Sequence, residues 1–271
     1  MRLSIGISPC PNDTFIFDAL VNQQIDTGDL EFDVYLDDVQ TLNEWALQGK
    51  LDVSKISYGV YPLIRNQYRL LDSGGALGNG VGPLLISKQT PPSIENLQEW
   101  IKEHSVAIPG INTTAHFLFT HAFPNAGNKH FKVFHEIEQT VLNDETDLGV
   151  IIHENRFTYQ EKGLHQVIDL GAFWEQKTGL PIPLGGIVTH NRLDESITQH
   201  LNILIQQSLS FSWQQYPSIS NYVKKHAQEM SEDVMRKHIE LYVNNFTTDM
   251  GEAGRKAIEE MLKIHELLQA V

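Results

Sequence analysis

Apolar and polar positions in the first sixty residues alternate between a two-residue period, typical of strands, and a helical period. The strand-like segments are 3–7, 30–36 and 51–56, and the helical segments are 13–21 and 39–47. Strands and helices that follow one another in this order favour parallel strand pairing with helices on both faces of the sheet. The pattern therefore predicts an α/β unit at the start of the chain.

A second unit of the same kind follows. Its strand-like segments are 105–108, 131–134 and 148–152, with a helix at 113–122 and a further strand at 184–189. From residue 194 the pattern is almost wholly helical, with Leu201, Ile205 and Leu209 on one apolar face. Two strand-like crossings, near 83–90 and 182–190, separate the two units.

We therefore predict an α/β protein with two lobes. Residues 1–88 and 190–271 form the first, larger lobe, which includes the C-terminal helices, and residues 89–189 form the second lobe. A ligand cleft is expected between the lobes, at the carboxyl ends of the strands.

Composition narrows the possible partners and the location. Lys and Arg number 20 against 34 Asp and Glu, which argues against a nucleic-acid-binding surface over the whole molecule. No apolar run approaches the roughly 18 residues that a membrane span requires. The first residues lack the apolar segment of an export signal, so we expect a cytoplasmic protein. The single cysteine, Cys10, excludes an internal disulfide and a cysteine-based zinc site.

The segment 8–14 lies where the first strand gives way to the first helix. Asn12 or Asp13 is predicted to cap that helix and to leave N–H groups facing the cleft, although a plain capped turn would look the same. Cys10 lies between two prolines with no histidine nearby in the sequence. A buried thiol is therefore favoured over a nucleophile.

Two further segments have the chemistry of an anion site. Lys55, Ile56 and Ser57 end the third strand, and a lysine with a hydroxyl suits an anionic, oxygen-rich ligand. The segment 113–115 (Thr-Thr-Ala) opens a helix after a strand, where free N–H groups attract anions. An ordinary strand end and an ordinary helix cap are the alternatives. The glycine-rich segment 74–82 is not a phosphate loop, because a strand follows it and no Gly-Lys-Ser/Thr is present.

Of the twelve histidines, His153 is the one placed for catalysis. It ends the strand 148–152 and so belongs at the predicted cleft, where an imidazole can act as a general base near neutral pH. A structural histidine at a strand end is the alternative. No histidine spacing matches a known metal-binding pattern, and no metal is predicted.

Several motifs occur in the order found in one family of enzymes. They are Ser8-Pro-Cys-Pro-Asn-Asp-Thr-Phe, Asp52-Val-Ser-Lys-Ile-Ser-Tyr, Gly78-x-Gly-x-Gly-Pro-Leu-Leu, Pro109-Gly-x-x-Thr-Thr-Ala, Gly149-Val-Ile-Ile-His-Glu-x-Arg-Phe-Thr-Tyr and Leu184-Gly-Gly-Ile. Together they resemble the 1,4-dihydroxy-6-naphthoate synthase family of the futalosine route to menaquinone. The motifs run from residue 8 to about residue 190, and the helical tail carries none.

The resemblance implies a fold like that of type II periplasmic solute-binding proteins. It also implies a carbon–carbon lyase that converts cyclic dehypoxanthinyl futalosine to 1,4-dihydroxy-6-naphthoate and dihydroxyacetone, without a metal or an organic cofactor. The family's proton-accepting histidine falls on His153. The expected substrate-binding residues are Asn12, Asn43, Lys55, Ile56, Ser57, Thr113, Thr114 and Ala115.

The sequence leaves two other functions open. A solute-binding protein without chemistry is compatible with the fold, and chorismate dehydratase belongs to the same pathway. Tyr58, Gly59 and Asn112 depart from the residues expected in the family, which concerns the shape of the pocket more than its chemistry. The small-molecule substrate is the one expected partner, and whether the chain forms a homodimer stays open.

Overall fold

The computed structural model describes residues 1–227 and 231–269. Its strands are, in chain order, β1 (Arg2–Ile7), β2 (Glu31–Leu36), β3 (Val53–Ser57), β4 (Tyr68–Leu70), β5 (Ala76–Gly78), β6 (Leu84–Ser87), β7 (Val106–Ile108), β8 (Lys129–Phe131), β9 (Leu148–Ile151), β10 (His165–Asp169) and β11 (Ile182–His190). Its α-helices are α1 (Pro11–Val21), α2 (Val39–Leu47), α3 (Tyr61–Ile64), α4 (Leu97–Glu103), α5 (Thr114–Ala122), α6 (Ile137–Leu142), α7 (Leu170–Thr178), α8 (Glu195–Gln215), α9 (Asn221–His226), α10 (Glu232–Tyr242), α11 (Asn245–Thr248) and α12 (Gly251–Gln269). None of the helices in these two ranges combines the length and the apolar character needed to cross a bilayer.

The first sheet has the strand order β2-β1-β3-β11-β4, with β5 also paired to β11. β1 runs parallel to β2 and β3, as the opening β-α-β pattern predicts. β11 runs antiparallel to β3, so the sheet is mixed rather than wholly parallel. The alternating residues Leu3, Ile5 and Ile7 are buried and pack in one cluster with the inner faces of α1 and α8.

The second sheet has the order β10-β6-β9-β7-β8. β7 is parallel to β8 and β9, whereas β6 is antiparallel to both β9 and β10. β6 therefore belongs to the second sheet, although it precedes the predicted boundary at residue 88. β11 belongs to the first sheet, although nearly all of it precedes the predicted boundary at residue 190. The division into two lobes at those residues stays a prediction.

Two local predictions are wrong. Cys10, not Asn12 or Asp13, is the N-cap residue of α1, and no side chain caps the helix. Pro11 starts the helix because its fixed φ angle suits the first helical position, and this places Asn12 and Asp13 inside the first turn. The predicted strand 131–134 is also wrong, since β8 ends at Phe131 and a 3₁₀ turn occupies 134–136.

Helix α8 of the C-terminal part packs against α1, on the first sheet's side of the molecule. Ser208 of α8 donates to the carbonyl oxygen of Ile16 at 2.6 Å and accepts from the N–H of Leu20 at 3.1 Å. The predicted apolar face of Leu201, Ile205 and Leu209 is buried. Further along the chain, α10 contacts the turn that follows β9 and so reaches the cleft.

Candidate active site

A cleft lies between the two sheets and encloses about 650 Å³ of space, part of it open to solvent. It lies at the carboxyl ends of β1, β3 and β9, as expected for parallel strands that converge on one edge. The side chains and backbone that line it come from Ser8, Asn12, Asp13, Val39, Lys55, Ile56, Ser57, Ala76, Val81, Pro83, Thr113, Thr114, Ala115, Ile152, His153, Leu184, Gly185, His238 and Tyr242.

The cleft brings together nearly all of the site residues predicted from the sequence. Those that line it are Asn12, Lys55, Ile56, Ser57, Thr113, Thr114, Ala115 and His153. Asn43 is not among the lining residues and is fully buried behind Ser57. The contacts of these residues with a substrate stay predictions.

Asn43 fixes the end of β3. Its Oδ1 accepts from the N–H of Ser57 at 2.8 Å, and its Nδ2 lies 3.1 Å from Ser57 Oγ and 3.0 Å from the carbonyl oxygen of Asn112. Because Asn43 Nδ2 donates to the Ser57 oxygen, the Ser57 O–H keeps its own proton for another acceptor. Asn43 thus orients a cleft hydroxyl and ties it to the loop before α5.

Gly59 lets the end of β3 approach the start of α5. A Cβ atom at this position would lie 2.7 Å from the carbonyl oxygen of Thr113, which is too close for any side chain. The N–H of Gly59 donates to Thr114 Oγ1 at 3.0 Å, and that hydroxyl donates to the carbonyl oxygen of Leu184 at 2.6 Å. A glycine at position 59 therefore has a packing reason.

Thr113 is the N-cap residue of α5. Its Oγ1 accepts from the N–H of His116 at 3.2 Å and donates to the carbonyl oxygen of Gly110 at 2.8 Å. Thr114 and Ala115 form the first turn of α5 at the cleft wall. The N-terminal end of α5 gives this wall a partial positive charge.

A buried ion pair supports the floor of the cleft. Lys55 Nζ donates to Asp13 Oδ1 at 2.5 Å, with both side chains less than a tenth exposed. Asp13 Oδ1 also accepts from Asn12 Nδ2 at 2.8 Å, and Oδ2 accepts from Ser8 Oγ at 2.8 Å. The charge of Lys55 is therefore balanced by that of Asp13. Contrary to the expectation from the sequence, Lys55 alone does not make the cleft attractive to an anionic ligand.

His153 projects from the end of β9 in a strained backbone conformation. Its φ angle of 59° lies in the left-handed region, which costs a residue other than glycine about 1–2 kcal/mol. Such strain is concentrated at functional sites, where surrounding structure holds it in place. Here the ring is held edge-to-face against Phe134, with 4.9 Å between ring centroids, and its Nδ1 lies 3.4 Å from Cys10 Sγ.

The surroundings of His153 keep its imidazole neutral. Burial lowers the pKa of His153 to about 4, and the nearby Lys55 acts in the same direction, whereas Asp13 and Asp38 oppose it. A neutral imidazole at pH 7 has a lone pair that can accept a proton. The imidazole can therefore accept a proton at neutral pH, and its role as a general base stays a prediction.

Cys10 is a buried thiol rather than an activated nucleophile. Burial raises the pKa of Cys10 well above its usual value, and the carboxylate of Glu154 adds to that effect. The sequence showed no histidine close to Cys10, yet the fold brings His153 into contact with it. The protonated thiol packs against the imidazole and helps to fix its position.

One group in the described part of the chain has metal-ligand chemistry. The donor atoms of Cys10, His153 and Glu154 lie within 4.8 Å of one another. Zinc binds cysteine as the thiolate, and the raised pKa of Cys10 disfavours that form in the metal-free protein. The expectation that the site works without a metal or an organic cofactor stays a prediction.

Two residues of the tail also line the cleft, and sequence reasoning missed both. His238 and Tyr242 lie one turn apart on α10. The His238 ring is stacked on that of His153, with 6.1 Å between centroids and 26° between planes. Burial raises the pKa of Tyr242 to about 12, so its hydroxyl stays protonated. The tail has no motif that could have marked these residues.

The lowered pKa of His153 predicts a pH dependence of stability. Between pH 6.5 and pH 4 the unfolded chain binds a proton at His153 that the folded protein does not. The free energy of unfolding therefore falls as the pH falls through this window. Between pH 7 and pH 5, titration of His153 should lower the free energy of unfolding by about 2 kcal/mol. Urea unfolding should show that the His153→Gln variant lacks this decrease. An identical pH dependence in the wild-type chain and the variant would contradict the neutral imidazole.

Two mixed sheets with a cleft between them define the α/β fold class of this chain. A crystal structure of a protein from Archaeoglobus fulgidus superposes with a TM-score of 0.92 at 27% identity, covering 100% of this chain and 98% of that one. The periplasmic aliphatic sulphonate binding protein of Escherichia coli gives a TM-score of 0.67 at 10% identity, covering 100% and 88%. The second likeness concerns the fold alone and confirms the predicted periplasmic-binding-protein-like architecture.

Sequence comparison identifies the family. The menaquinone biosynthesis family matches residues 3–266. Two curated proteins, from Thermus thermophilus and Streptomyces coelicolor, are each 40% identical to this chain. The matched region covers 96% of this chain in both cases, and it covers 92% of the first relative and 91% of the second. Both are named 1,4-dihydroxy-6-naphthoate synthase. This chain therefore belongs to the menaquinone biosynthesis family that includes those enzymes.

Proposed function

We propose that this protein is a cytoplasmic carbon–carbon lyase that converts cyclic dehypoxanthinyl futalosine to 1,4-dihydroxy-6-naphthoate and dihydroxyacetone. The names of the two relatives, which match nearly the whole chain, support the reaction. The observation that carries the proposal is the neutral, strained His153 at the cleft, placed where a bound substrate would meet it.

His153 acts as the general base in this proposal. It removes a proton from the cyclic substrate, the ring opens, and formation of the aromatic naphthoate drives loss of the three-carbon fragment. General bases work best with a pKa close to the operating pH, and a pKa of about 4 is low for that role. A substrate carboxylate in the same poorly solvated cleft would favour the imidazolium and so raise the pKa toward neutrality.

The other cleft groups hold the substrate. The Ser57 hydroxyl, which accepts from Asn43, donates its proton to a substrate oxygen. The start of α5, at Thr114 and Ala115, faces the substrate carboxylate with its free N–H groups. Closure of the cleft around the ligand excludes water and strengthens these interactions.

The pH dependence of kcat/KM tests the base in the free enzyme. The neutral imidazole is the active form, so activity is present above the pKa of His153 and is lost as the pH falls through it. We expect kcat/KM to stay level from pH 7 to about pH 5 and to fall tenfold per unit below about pH 4. An acid limb near pH 6.5 instead would show that His153 is not desolvated or is not the base.

Product analysis tests the reaction itself. The purified protein is incubated separately with cyclic dehypoxanthinyl futalosine and with chorismate, and products are followed by liquid chromatography with mass detection. The proposal predicts 1,4-dihydroxy-6-naphthoate and dihydroxyacetone in equal amounts from the first compound and no change in the second. Dehydration of chorismate would assign the other enzyme of the pathway, and binding without turnover of either compound would assign a solute-binding protein.

A further inference from the structure

His238 of α10 joins the cleft to the buried ion pair through one amide. Its Nε2 lies 2.9 Å from Asn12 Oδ1, and Asn12 Nδ2 lies 2.8 Å from Asp13 Oδ1. Asp13 is itself held by Lys55 and Ser8. His238, Asn12 and Asp13 thus form a continuous hydrogen-bonded chain from the helical tail to the ion pair.

This chain determines which nitrogen of His238 carries the proton. A carboxylate only accepts hydrogen bonds, so the atom of Asn12 that meets Asp13 is the donating Nδ2. The Asn12 Oδ1 atom is then an acceptor, and His238 Nε2 must donate to it. Burial lowers the pKa of His238 well below its usual value, so the ring is neutral and Nδ1 has a free lone pair.

Nδ1 of His238 is a buried acceptor that lacks a partner. The side chain is fully buried, and no hydrogen bond reaches Nδ1 from residues 1–227 or 231–269. An unpaired buried acceptor carries a free-energy cost, and such atoms in native proteins call for a ligand or another functional explanation. His238 lines the cleft beside His153.

We infer that His238 binds the substrate by accepting a hydrogen bond from a substrate hydroxyl at Nδ1, with Asn12 and Asp13 holding its ring in the Nε2–H form. This role rests on the proposed function, since the sugar-derived part of that substrate supplies the hydroxyl. It assigns the tail a direct part in the site. Asn12 is then a positioning residue and not a substrate contact.

Paired substitutions separate binding from packing. Glutamine at position 238 keeps an N–H donor for Asn12 Oδ1 but has no acceptor at the place of Nδ1. In the inactive His153→Gln background, calorimetry measures binding of intact cyclic dehypoxanthinyl futalosine with and without His238→Gln. We expect binding to weaken by about 3- to 10-fold, the range for one neutral hydrogen bond. The exposed His200→Gln, in the same background, should leave binding unchanged.

A second measurement needs no change at position 238. Nitrogen NMR of histidine-labelled protein carrying His153→Gln reports the tautomer of His238, whose ring is identified by its through-space contact with the ring of Tyr242, 4.6 Å away between centroids. The inference predicts a pyrrole-type Nε2 and a pyridine-type Nδ1, and the Nδ1 signal should shift when substrate binds. A purely structural histidine would not show that shift.

The outcomes distinguish the two proposals. Equal affinity with and without His238→Gln, or an Nδ1 signal that is protonated or unmoved by bound substrate, overturns the role of His238 and leaves the proposed function standing. Failure of the wild-type protein to turn over the substrate overturns the proposed function, and the inference, which rests on it, falls as well. If His238→Gln does not fold, as judged by circular dichroism, the NMR signal of the folded protein decides.

Discussion

Replacing His153 with glutamine is expected to lower kcat by at least about 100-fold, the lower end of what a general base contributes. Glutamine is polar and close in size, so it preserves most of the cleft, but it cannot accept a proton. Because the binding groups proposed above are Ser57 and the start of α5, which stay unchanged, KM should change much less than kcat. Steady-state kinetics with cyclic dehypoxanthinyl futalosine measure both constants.

A matched variant controls for the loss of a histidine elsewhere. His121 lies on α5, packs against Phe173 and does not line the cleft, and burial lowers its pKa as well. His121→Gln should leave kcat within about twofold of the wild-type value, as expected for a residue away from the chemistry. Activity of His153→Gln above a tenth of wild type, in a protein with normal circular dichroism, would remove His153 from the mechanism.

Replacing Asp13 with asparagine is expected to lower the free energy of unfolding by about 3–5 kcal/mol, as observed when one partner of a buried ion pair is removed. This is the largest effect on stability expected among the substitutions proposed for this protein. The substitution leaves the ammonium of Lys55, whose side chain is 7% exposed, without its counter-charge. It also disturbs the acceptor that holds Asn12 and Ser8. Urea unfolding at pH 7 measures the effect.

Two controls show whether the burial of the pair matters. Arg65 and Glu266 form an ion pair at 3.6 Å with both side chains more than half exposed. Glu266→Gln should cost less than about 1 kcal/mol because solvent screens exposed pairs. The double variant Asp13→Asn with Lys55→Met should recover part of the loss, since no unpaired buried charge remains. A loss below about 1 kcal/mol for Asp13→Asn would contradict a desolvated pair.

The fold was predictable where local periodicity decides it. The alternation in 3–7 predicts that one face of β1 is buried, and the apolar positions of α8 predict that one face of that helix is buried. Both predictions are confirmed. Strand partners were not predictable in the same way, because β11 reads as a strand whether it runs parallel or antiparallel to β3. The helix start at Pro11 was missed because Asn12 and Asp13 look like caps when the path of the chain is unknown.

The site was predictable where it follows from strand ends. Ser57 is the last residue of β3, and His153 follows the end of β9. The fold brings both residues to one cleft. The pairing of Lys55 with Asp13 spans 42 positions, and the contact of His238 with Asn12 spans 226. Local spacing carries no information about contacts of that kind. The ion pair and the second histidine therefore required the structure.

A crystal structure of the His153→Gln protein with intact cyclic dehypoxanthinyl futalosine would test directly whether His153 is the base that meets the substrate. The distance to measure joins the amide of residue 153 to the nearest carbon-bound hydrogen of the substrate. We expect the substrate in the cleft between the two sheets, with that hydrogen in contact with residue 153 and a substrate oxygen within hydrogen-bond distance of Ser57 Oγ. A substrate bound outside the cleft, or one whose carbon–hydrogen bonds all lie beyond the reach of residue 153, would contradict it.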